Sequence, residues 1–219
     1  MNAAALIASR RALVFDLDGT LADTVADLWL ALNAALRDCG LADVEEGLVR
    51  ASLHGGLEGT AQAALLLLRV DSAALPQLCR RYAMHYHWRA HASSSLYAGV
   101  RELLDVCRVR EVALAVCTNK SRSEALALLS KLGIVDHFAC VIGGDTAAQP
   151  KPHPAPLVEA LHALGCEAHQ ALLIGDSHVD AQCACSVGVE FVLHAGGYGG
   201  PQELGYPVAA RFLRYGELA

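Results

Sequence analysis

Five short apolar runs recur along the chain, and segments with helical spacing lie between them. The runs consist mostly of Val, Ile, Leu, Phe, Ala and Cys and lack polar alternation, which is typical of strands buried on both faces of a parallel sheet. This rhythm predicts an α/β fold with a doubly wound parallel sheet. The predicted strands are Ala12–Phe15, Val112–Cys117, Ala139–Ile142, Ala171–Ile174 and Phe191–Leu193. The predicted helices are Gly99–Arg108, Ser121–Leu132, Ala155–Leu164 and Val179–Val187.

Residues 23–92 interrupt this rhythm because they contain no convincing strand. The length of 219 residues suits a core domain that carries a smaller inserted one. We therefore expect an α/β core formed by residues 1–22 and 93–219, with an inserted α-helical domain at 23–92. Helical spacing in the insert covers Ala26–Cys39, Val44–Leu53, Leu57–Leu68 and Ser72–His87.

Composition argues against several classes of partner. The net charge is −6, and no cluster of Lys and Arg exceeds a pair, which disfavours nucleic-acid binding. The apolar run Ala61–Leu68 is too short to cross a bilayer, and Arg10-Arg11 follow the apolar stretch Ala3–Ala8 instead of preceding it, the wrong order for a secretory signal. The eight cysteines form no CxxC pair and are expected to be reduced. These features predict a cytoplasmic protein without nucleic-acid or membrane partners.

Two carboxylates leave the end of the first predicted strand. Asp16 and Asp18 lie two residues apart, so in an extended chain they point to the same side, and Gly19 allows a sharp turn behind them. A solvated Asp-Gly turn would account for one acid and the glycine, but not for both acids. Two like charges this close are costly unless a cation or a shared proton offsets them. The pattern predicts a site at the end of this strand.

Polar residues also follow the later strands, where ligands of parallel sheets bind. Thr118 and Asn119 come before a predicted helix and suit an anion cradle, although Thr-Asn there is also a common helix N-cap. Lys151 lies between two prolines that stiffen its loop, although such a lysine is also common on surfaces. Asp176 and Asp180 lie one helical turn apart, a spacing that also begins ordinary helices. Their shared position after buried strands favours one site.

The chain resembles the haloacid dehalogenase superfamily. The four motifs that carry the resemblance are DLDGTLADT, CTNK, PKPHP and GDSHVD. Within that superfamily the chain is most similar to phosphoglycolate phosphatases, on the stretches TNK, KPHPAPL, SLYAGVRELL and GGYGG. The resemblance spans nearly the whole chain. It implies a Rossmann-like core with a helical cap and a phosphatase of carbohydrate metabolism that acts on a small phosphorylated metabolite, as a monomer or a homodimer.

The resemblance also implies roles in catalysis. Asp16 is expected to attack phosphorus and form an aspartyl-phosphate, which water then hydrolyses. Asp18 is expected to protonate the leaving alkoxide and later to deprotonate the water. Thr118 and the N–H of Asn119 are expected to hold the phosphoryl oxygens, and Lys151 to neutralise charge on the phosphate and on Asp16.

A Mg²⁺ site follows from the same resemblance. Asp16 and Asp176 are expected to bind the ion with the main-chain carbonyl of Asp18, and Asp180 to complete the acidic pocket by an indirect bond or through Lys151. A set of oxygen ligands without soft donors suits this small hard cation.

Substrate choice is expected to depend on the inserted domain. Arg50 and His54 are candidates for contacting a second anionic group of the substrate, although both also suit solvated helix ends. The favoured substrate is 2-phosphoglycolate. Another sugar or amino-sugar phosphate, a nucleotide, pyrophosphate, a phosphomutase of the β-phosphoglucomutase type and a non-catalytic binding protein remain as alternatives. Hydrolytic dehalogenation is disfavoured because it requires neither Asp18 nor Asp176.

Overall fold

The computed structural model describes residues 2–199 and 205–218, and the chain divides into two compact units. One unit runs up to Asp23 and resumes at Ser95, and the other is Thr24–Ser94. The sequence places these boundaries after residues 22 and 92. Action of the second unit as a cap stays a prediction.

A six-stranded parallel sheet forms the centre of the first unit, with the order β5-β4-β1-β6-β7-β8. A separate antiparallel pair, β2 with β3, lies where the chain passes to the second unit and returns. The predicted fold class is confirmed. The strands are β1 (Ala12–Phe15), β2 (Ala22–Asp23), β3 (Ser95–Leu96), β4 (Ala113–Cys117), β5 (Cys140–Ile142), β6 (Ala171–Gly175), β7 (Glu190–His194) and β8 (Ala210–Phe212).

The helices match the predicted segments closely, except at the N-terminus. The segment Ala3–Ala8 is a short helix, with the Asn2 side chain accepting a hydrogen bond from the N–H of Ala4. In the sequence, this stretch stands out only as an apolar run in the wrong order for a secretory signal, and no helix is predicted there. The helices are α1 (Ala3–Ala8), α2 (Val25–Asp38), α3 (Glu46–Ser52), α4 (Gly56–Leu67), α5 (Leu75–Arg89), α6 (Val100–Val109), α7 (Arg122–Lys131), α8 (Ala155–Leu164) and α9 (His178–Val187).

The central strand β1 shows why its sequence is continuously apolar. Leu13 and Phe15 pack into a hydrophobic cluster on one face of the sheet, whereas Ala12 and Val14 pack into a second cluster on the other face. All four side chains are fully buried. Because both faces are covered, polar alternation is absent.

The edge strand β8 was not predicted from the sequence. Arg211 is exposed at its centre, between the buried Ala210 and Phe212. Its three residues therefore alternate and do not form an apolar run.

The second unit is helical throughout its regular structure, and a buried acid joins its beginning to its end. Asp27 of α2 is fully buried and accepts hydrogen bonds from Arg89 Nε at 2.9 Å, from the N–H of Ser93 at 2.9 Å and from Ser94 Oγ at 2.7 Å. Burial disfavours the carboxylate, but these bonds outweigh it and lower the pKa of Asp27. This Asp27 cluster closes the unit where the chain leaves it.

The state of the cysteines and the length of the helices are two further properties of the fold. All eight cysteines are free thiols. Among the helices of the described residues, none combines the length and the apolar character that a bilayer crossing demands.

Candidate active site

Three neighbouring strands deliver polar residues to one edge of the sheet. Strand β1 lies between β4 and β6, and all three are parallel. Asp16 follows β1, Thr118 follows β4 and Asp176 follows β6, each directly. Their carboxyl ends therefore meet, as expected for a ligand site of a parallel sheet. All three residues are buried.

Lys151 joins two of the predicted acids. Its Nζ lies 2.8 Å from Asp16 Oδ1 and 2.6 Å from Asp180 Oδ1. The side chains of Lys151 and Asp180 are 3% and 2% exposed. A surface position for Lys151 is therefore wrong. The Lys151–Pro152 peptide bond is cis.

Burial and charge set the protonation of this pair. Burial raises the pKa of Asp16 to about 6, with the charges of Asp180 and Asp18 adding to the rise and the Lys151 ammonium opposing it. Although burial disfavours the ammonium, Asp16 and Asp180 raise the pKa of Lys151 well above its ordinary value. The charged form of Lys151 is therefore favoured beside Asp16.

Asp180 has two functions at the start of α9. Its Oδ2 accepts hydrogen bonds from the Ser177 hydroxyl at 2.6 Å and from the Ser177 N–H at 3.2 Å. The Asp180 N–H donates back to Ser177 Oγ at 3.4 Å, and this bond forms a capping box with the one from the Ser177 N–H. Its Oδ1 accepts from Lys151. The acid therefore begins a helix, as the spacing in GDSHVD also allowed, and in addition binds the lysine of the site.

Asp176 is held by the loop that follows β7. Its Oδ2 accepts hydrogen bonds from the N–H groups of Tyr198 at 2.6 Å and Gly199 at 3.3 Å. Burial, followed by the charges of Asp16 and Asp180, raises the pKa of Asp176 well above its ordinary value despite these bonds. Gly200, the last residue of the GGYGG motif, lies outside the described residues.

The acids form a candidate metal site. Carboxylate oxygens of Asp16, Asp176 and Asp180 lie within 4.8 Å of one another, and all three residues are buried. Burial, and after it the charges of neighbouring acids, raises the pKa of Asp16 and of Asp176, so their charged forms are disfavoured unless a cation is present. An oxygen-seeking divalent cation would offset that repulsion, so the residues fit such an ion.

Asp18 forms an ion pair with Lys120. The Lys120 Nζ lies 2.9 Å from Asp18 Oδ2, and the two side chains are 7% and 18% exposed. The turn between Asp18 and β2 is closed by a hydrogen bond from the N–H of Gly19 to the Ala22 carbonyl, with a φ of 84° at Gly19. A Cβ at Gly19 would collide with the Asp176 carboxylate, so this position requires glycine.

Thr118 and Asn119 are not helix caps. Helix α7 begins at Arg122, and the Ser121 hydroxyl is its N-cap. Thr118 Oγ1 accepts a hydrogen bond from the N–H of Lys120 at 3.2 Å, and Asn119 Nδ2 donates to the Lys151 carbonyl at 2.9 Å. Asn119 therefore links the loop after β4 to the Lys151 loop.

Arg50 and His54 lie in the second unit. Arg50 is in the last turn of α3 and pairs with Glu46 on the same helix, with 40% of its side chain exposed. His54 lies in the short 3₁₀ segment Leu53–Gly55. Contact of either residue with a substrate stays a prediction.

Comparisons with known proteins place the chain in a family. Residues 13–194 match the family model of haloacid dehalogenase-like hydrolases. The chain belongs to this family. The matched residues extend from β1 to the end of β7 and so include every acid and lysine of the site in this hydrolase.

Similar proteins carry a more specific name. The hydrolase is 42% identical over 194 residues to a phosphoglycolate phosphatase of Rhodospirillum rubrum, covering 86% of this chain and 80% of that one. It is 38% identical over 192 residues to a phosphoglycolate phosphatase of Mesorhizobium japonicum, covering 87% and 85%. A crystal structure of a predicted phosphoglycolate phosphatase from Haemophilus somnus has a TM-score of 0.89, with 28% identity and 96% of each chain covered.

Three residues of this hydrolase that support the site were not assigned roles from the sequence. Lys120 pairs with Asp18, the N–H of Tyr198 binds Asp176, and His194 Nδ1 lies 2.9 Å from the Gly19 carbonyl. Lys120 directly follows Thr118 and Asn119, and this position in the sequence could have indicated that it belongs to the site. The contacts of Tyr198 and His194 have no local pattern.

Proposed function

We propose that this hydrolase is a Mg²⁺-dependent phosphomonoesterase that works through an aspartyl-phosphate on Asp16. The observation that carries the proposal is the buried Asp16 carboxylate, held 2.8 Å from the Lys151 ammonium and grouped with Asp176. A carboxylate becomes an effective nucleophile toward a phosphate dianion only where positive charge offsets the repulsion between them. The site supplies one such charge itself and has the ligands for another.

The first step transfers the phosphoryl group to Asp16. An Asp16 oxygen forms a bond to phosphorus, the bond from phosphorus to the ester oxygen breaks, and Asp18 gives its proton to that oxygen. Lys151 offsets charge on the phosphoryl oxygens and on Asp16. The Thr118 hydroxyl and the N–H of Asn119 bind the phosphoryl oxygens and orient the group.

The second step releases phosphate. Asp18, now ionised, takes a proton from water as the water oxygen bonds to phosphorus, and the bond to Asp16 breaks. Asp18 thereby regains its proton and Asp16 its charge, so the enzyme returns to its starting state. The two-residue spacing of these acids lets one serve as nucleophile while the other exchanges protons.

The family resemblance supplies the proposed Mg²⁺ ligands, and the grouping of the Asp16 and Asp176 carboxylates supports two of them. Asp16, Asp176 and the Asp18 carbonyl would hold the ion, which would supply a second positive charge for the transferring group. Both Asp180 oxygens accept hydrogen bonds, from Lys151 and from Ser177. This arrangement favours an action of Asp180 through Lys151 over direct coordination.

The proposed substrate is 2-phosphoglycolate, and the proposed location is the cytoplasm. Support for the substrate comes from the names of the relatives at 42% and 38% identity. Arg50 and His54 are proposed to contact the substrate carboxylate from the second unit. Arg50→Ala and His54→Ala should then raise the KM for 2-phosphoglycolate, and unchanged kinetics in both variants on every phosphate ester would end this assignment.

The test is a phosphate-release assay over a panel of small phosphate esters. We expect release from 2-phosphoglycolate that requires Mg²⁺ and stops in EDTA, and that falls by roughly 10⁴-fold or more in Asp16→Asn. Full activity of Asp16→Asn or in EDTA would contradict the mechanism. A strong preference for a sugar phosphate, nucleotide or pyrophosphate would correct the substrate, and a bisphosphate intermediate without free phosphate would indicate a mutase.

A further inference from the structure

Lysine is scarce in this chain and concentrated in the site. The sequence has three lysines, and two of them, Lys120 and Lys151, have side chains that are 7% and 3% exposed and lie against site carboxylates. The third, Lys131, is exposed at the end of α7. The mechanism above uses Lys151 and leaves Lys120 without a role.

The main chain of Lys120 is fixed at both ends. Its N–H donates to Thr118 Oγ1 at 3.2 Å, and its carbonyl accepts from the N–H of Gly144 at 2.9 Å. A Cβ at Gly144 would lie 2.5 Å from the Asn119 carbonyl oxygen, so the two loops pack without a side chain between them. The Lys120 side chain therefore extends from a rigid base, and its Nζ reaches Asp18 Oδ2 at 2.9 Å.

The Lys120 ammonium lies close to the place where the leaving group of the substrate is expected to bind. A general acid must lie within hydrogen-bond reach of the oxygen it protonates, so the ester oxygen of the substrate binds at Asp18. The Lys120 ammonium is one hydrogen bond away from that acid. In 2-phosphoglycolate a single methylene group joins the ester oxygen to the carboxylate, so an ester oxygen bound at Asp18 leaves this carboxylate near enough for the Lys120 ammonium to contact it.

We propose that Lys120 binds the carboxylate of the leaving group and thereby selects phosphate esters of 2-hydroxycarboxylates. The inference rests on the proposed function, since it assumes that Asp18 is the acid. An ammonium has three N–H donors and can bridge two carboxylates. Lys151 does so in the same site, with Asp16 and Asp180. Lys120 would bridge Asp18 and the substrate in the same manner.

The assignment separates the tasks of the two lysines. Lys151 contacts Asp16 and so acts on the phosphoryl group, whereas Lys120 contacts Asp18 and so acts on the leaving group. A leaving group without a carboxylate would form no ion pair with Lys120. This contact involves only the first unit, and it therefore holds for any position of Arg50 and His54.

The experiment compares two substrates that differ in one charge, 2-phosphoglycolate and 2-hydroxyethyl phosphate. The value of kcat/KM is measured for both with wild type, Lys120→Met, Lys120→Arg and the control Lys131→Met. The preference is the kcat/KM for 2-phosphoglycolate divided by that for 2-hydroxyethyl phosphate. We expect Lys120→Met to lower this ratio by about 10- to 100-fold, mainly because the KM for 2-phosphoglycolate rises. Lys120→Arg should keep most of the preference, and Lys131→Met should leave it unchanged.

The outcomes distinguish the inference from the proposed function. Equal losses on both substrates in Lys120→Met would show that Lys120 only positions Asp18 and would overturn the inference. A wild-type enzyme with no preference for 2-phosphoglycolate would instead overturn the proposed substrate. If Lys120→Met does not fold, Lys120→Gln removes the charge while keeping a polar group beside Asp18, and the same ratio decides the question.

Discussion

Asp180 accepts a hydrogen bond from Lys151 at 2.6 Å, across 29 positions of sequence. The same carboxylate caps α9 through Ser177, so the position of the ammonium is tied to the start of a helix. The ammonium in turn contacts Asp16 at 2.8 Å. Asp16, the proposed nucleophile, is thus held by a chain of buried charges that begins at the start of α9.

Removal of the Lys151 charge should destabilise the protein in a pH-dependent manner. Lys151→Met leaves Asp16 and Asp180 buried without their shared cation, and we expect the free energy of unfolding to fall by about 3 kcal/mol at pH 7.5. Carboxylates with a raised folded-state pKa favour folding at low pH and lose that contribution as pH rises. The loss should therefore be smaller at pH 5.

Urea denaturation of metal-free protein at the two pH values measures this difference. Lys131→Met, which removes an exposed lysine, is the matched control and should show little change at either pH. An equal destabilisation of Lys151→Met at pH 5 and pH 7.5 would show that the effect comes from packing and not from the charges.

Metal binding should weaken as the acids take up protons. In the metal-free protein the pKa of Asp16 is raised to about 6 by burial, so its folded-state proton is lost only as pH rises through that value. Mg²⁺ must displace this proton below pH 6, which costs about tenfold in affinity per pH unit for one proton. Calorimetric titration with Mg²⁺ at pH 7.5 and pH 5 should show the loss, and an affinity that is the same at both would contradict the site.

The strands and the acids at their ends could be predicted because both leave local patterns. Ala12–Phe15 is a continuous apolar run since both faces of β1 are covered, and Asp16 and Asp18 follow it directly. The observed strand has the predicted bounds. Lys151 was expected in the site from its prolines, and its contact with Asp16 agrees with that placement.

The contacts that hold the site residues in place could not be predicted, because they join residues far apart in the sequence through groups that occur throughout the chain. The N–H of Tyr198 binds Asp176, and such a backbone contact imposes no residue type. His194 contacts the Gly19 carbonyl across 175 positions, while its ring packs against Tyr97 and stacks on Phe212. In the sequence, His194 only extends an apolar run.

Gly19 should be intolerant of alanine for a reason specific to the site. Its φ of 84° costs an alanine about 1 kcal/mol, and its Cβ would also displace the Asp176 carboxylate. Gly188 has a φ of 77° with no atom within 4 Å of its Cβ position, so Gly188→Ala introduces only the backbone strain and no collision. We expect Gly19→Ala to lose Mg²⁺ affinity and phosphatase activity, whereas Gly188→Ala loses only stability. If Gly19→Ala retained its Mg²⁺ affinity, Asp176 would not be a ligand of the proposed metal site.

The Asp27 cluster should determine the stability of the second unit. Asp27→Asn removes the charge that Arg89 and Ser94 bind in a fully buried position, and we expect a loss of about 2 to 3 kcal/mol in the stability of this unit. Because the pKa of Asp27 is lowered, its contribution is complete above the unfolded-state pKa and disappears as pH falls through the lower folded-state value. At pH 7 the full effect is therefore expected.

Hydrogen exchange at pH 7 measures this loss in the helices that Asp27 joins, α2 and α5. The control is Asp38→Asn, which removes an acid from the same unit that is paired with Arg81 and His85 at the surface. Exposed pairs of this kind contribute little to stability, so exchange should remain near that of the wild type. If Asp27→Asn accelerates exchange no more than Asp38→Asn, the buried bonds of Asp27 do not hold the end of α5 to the start of α2.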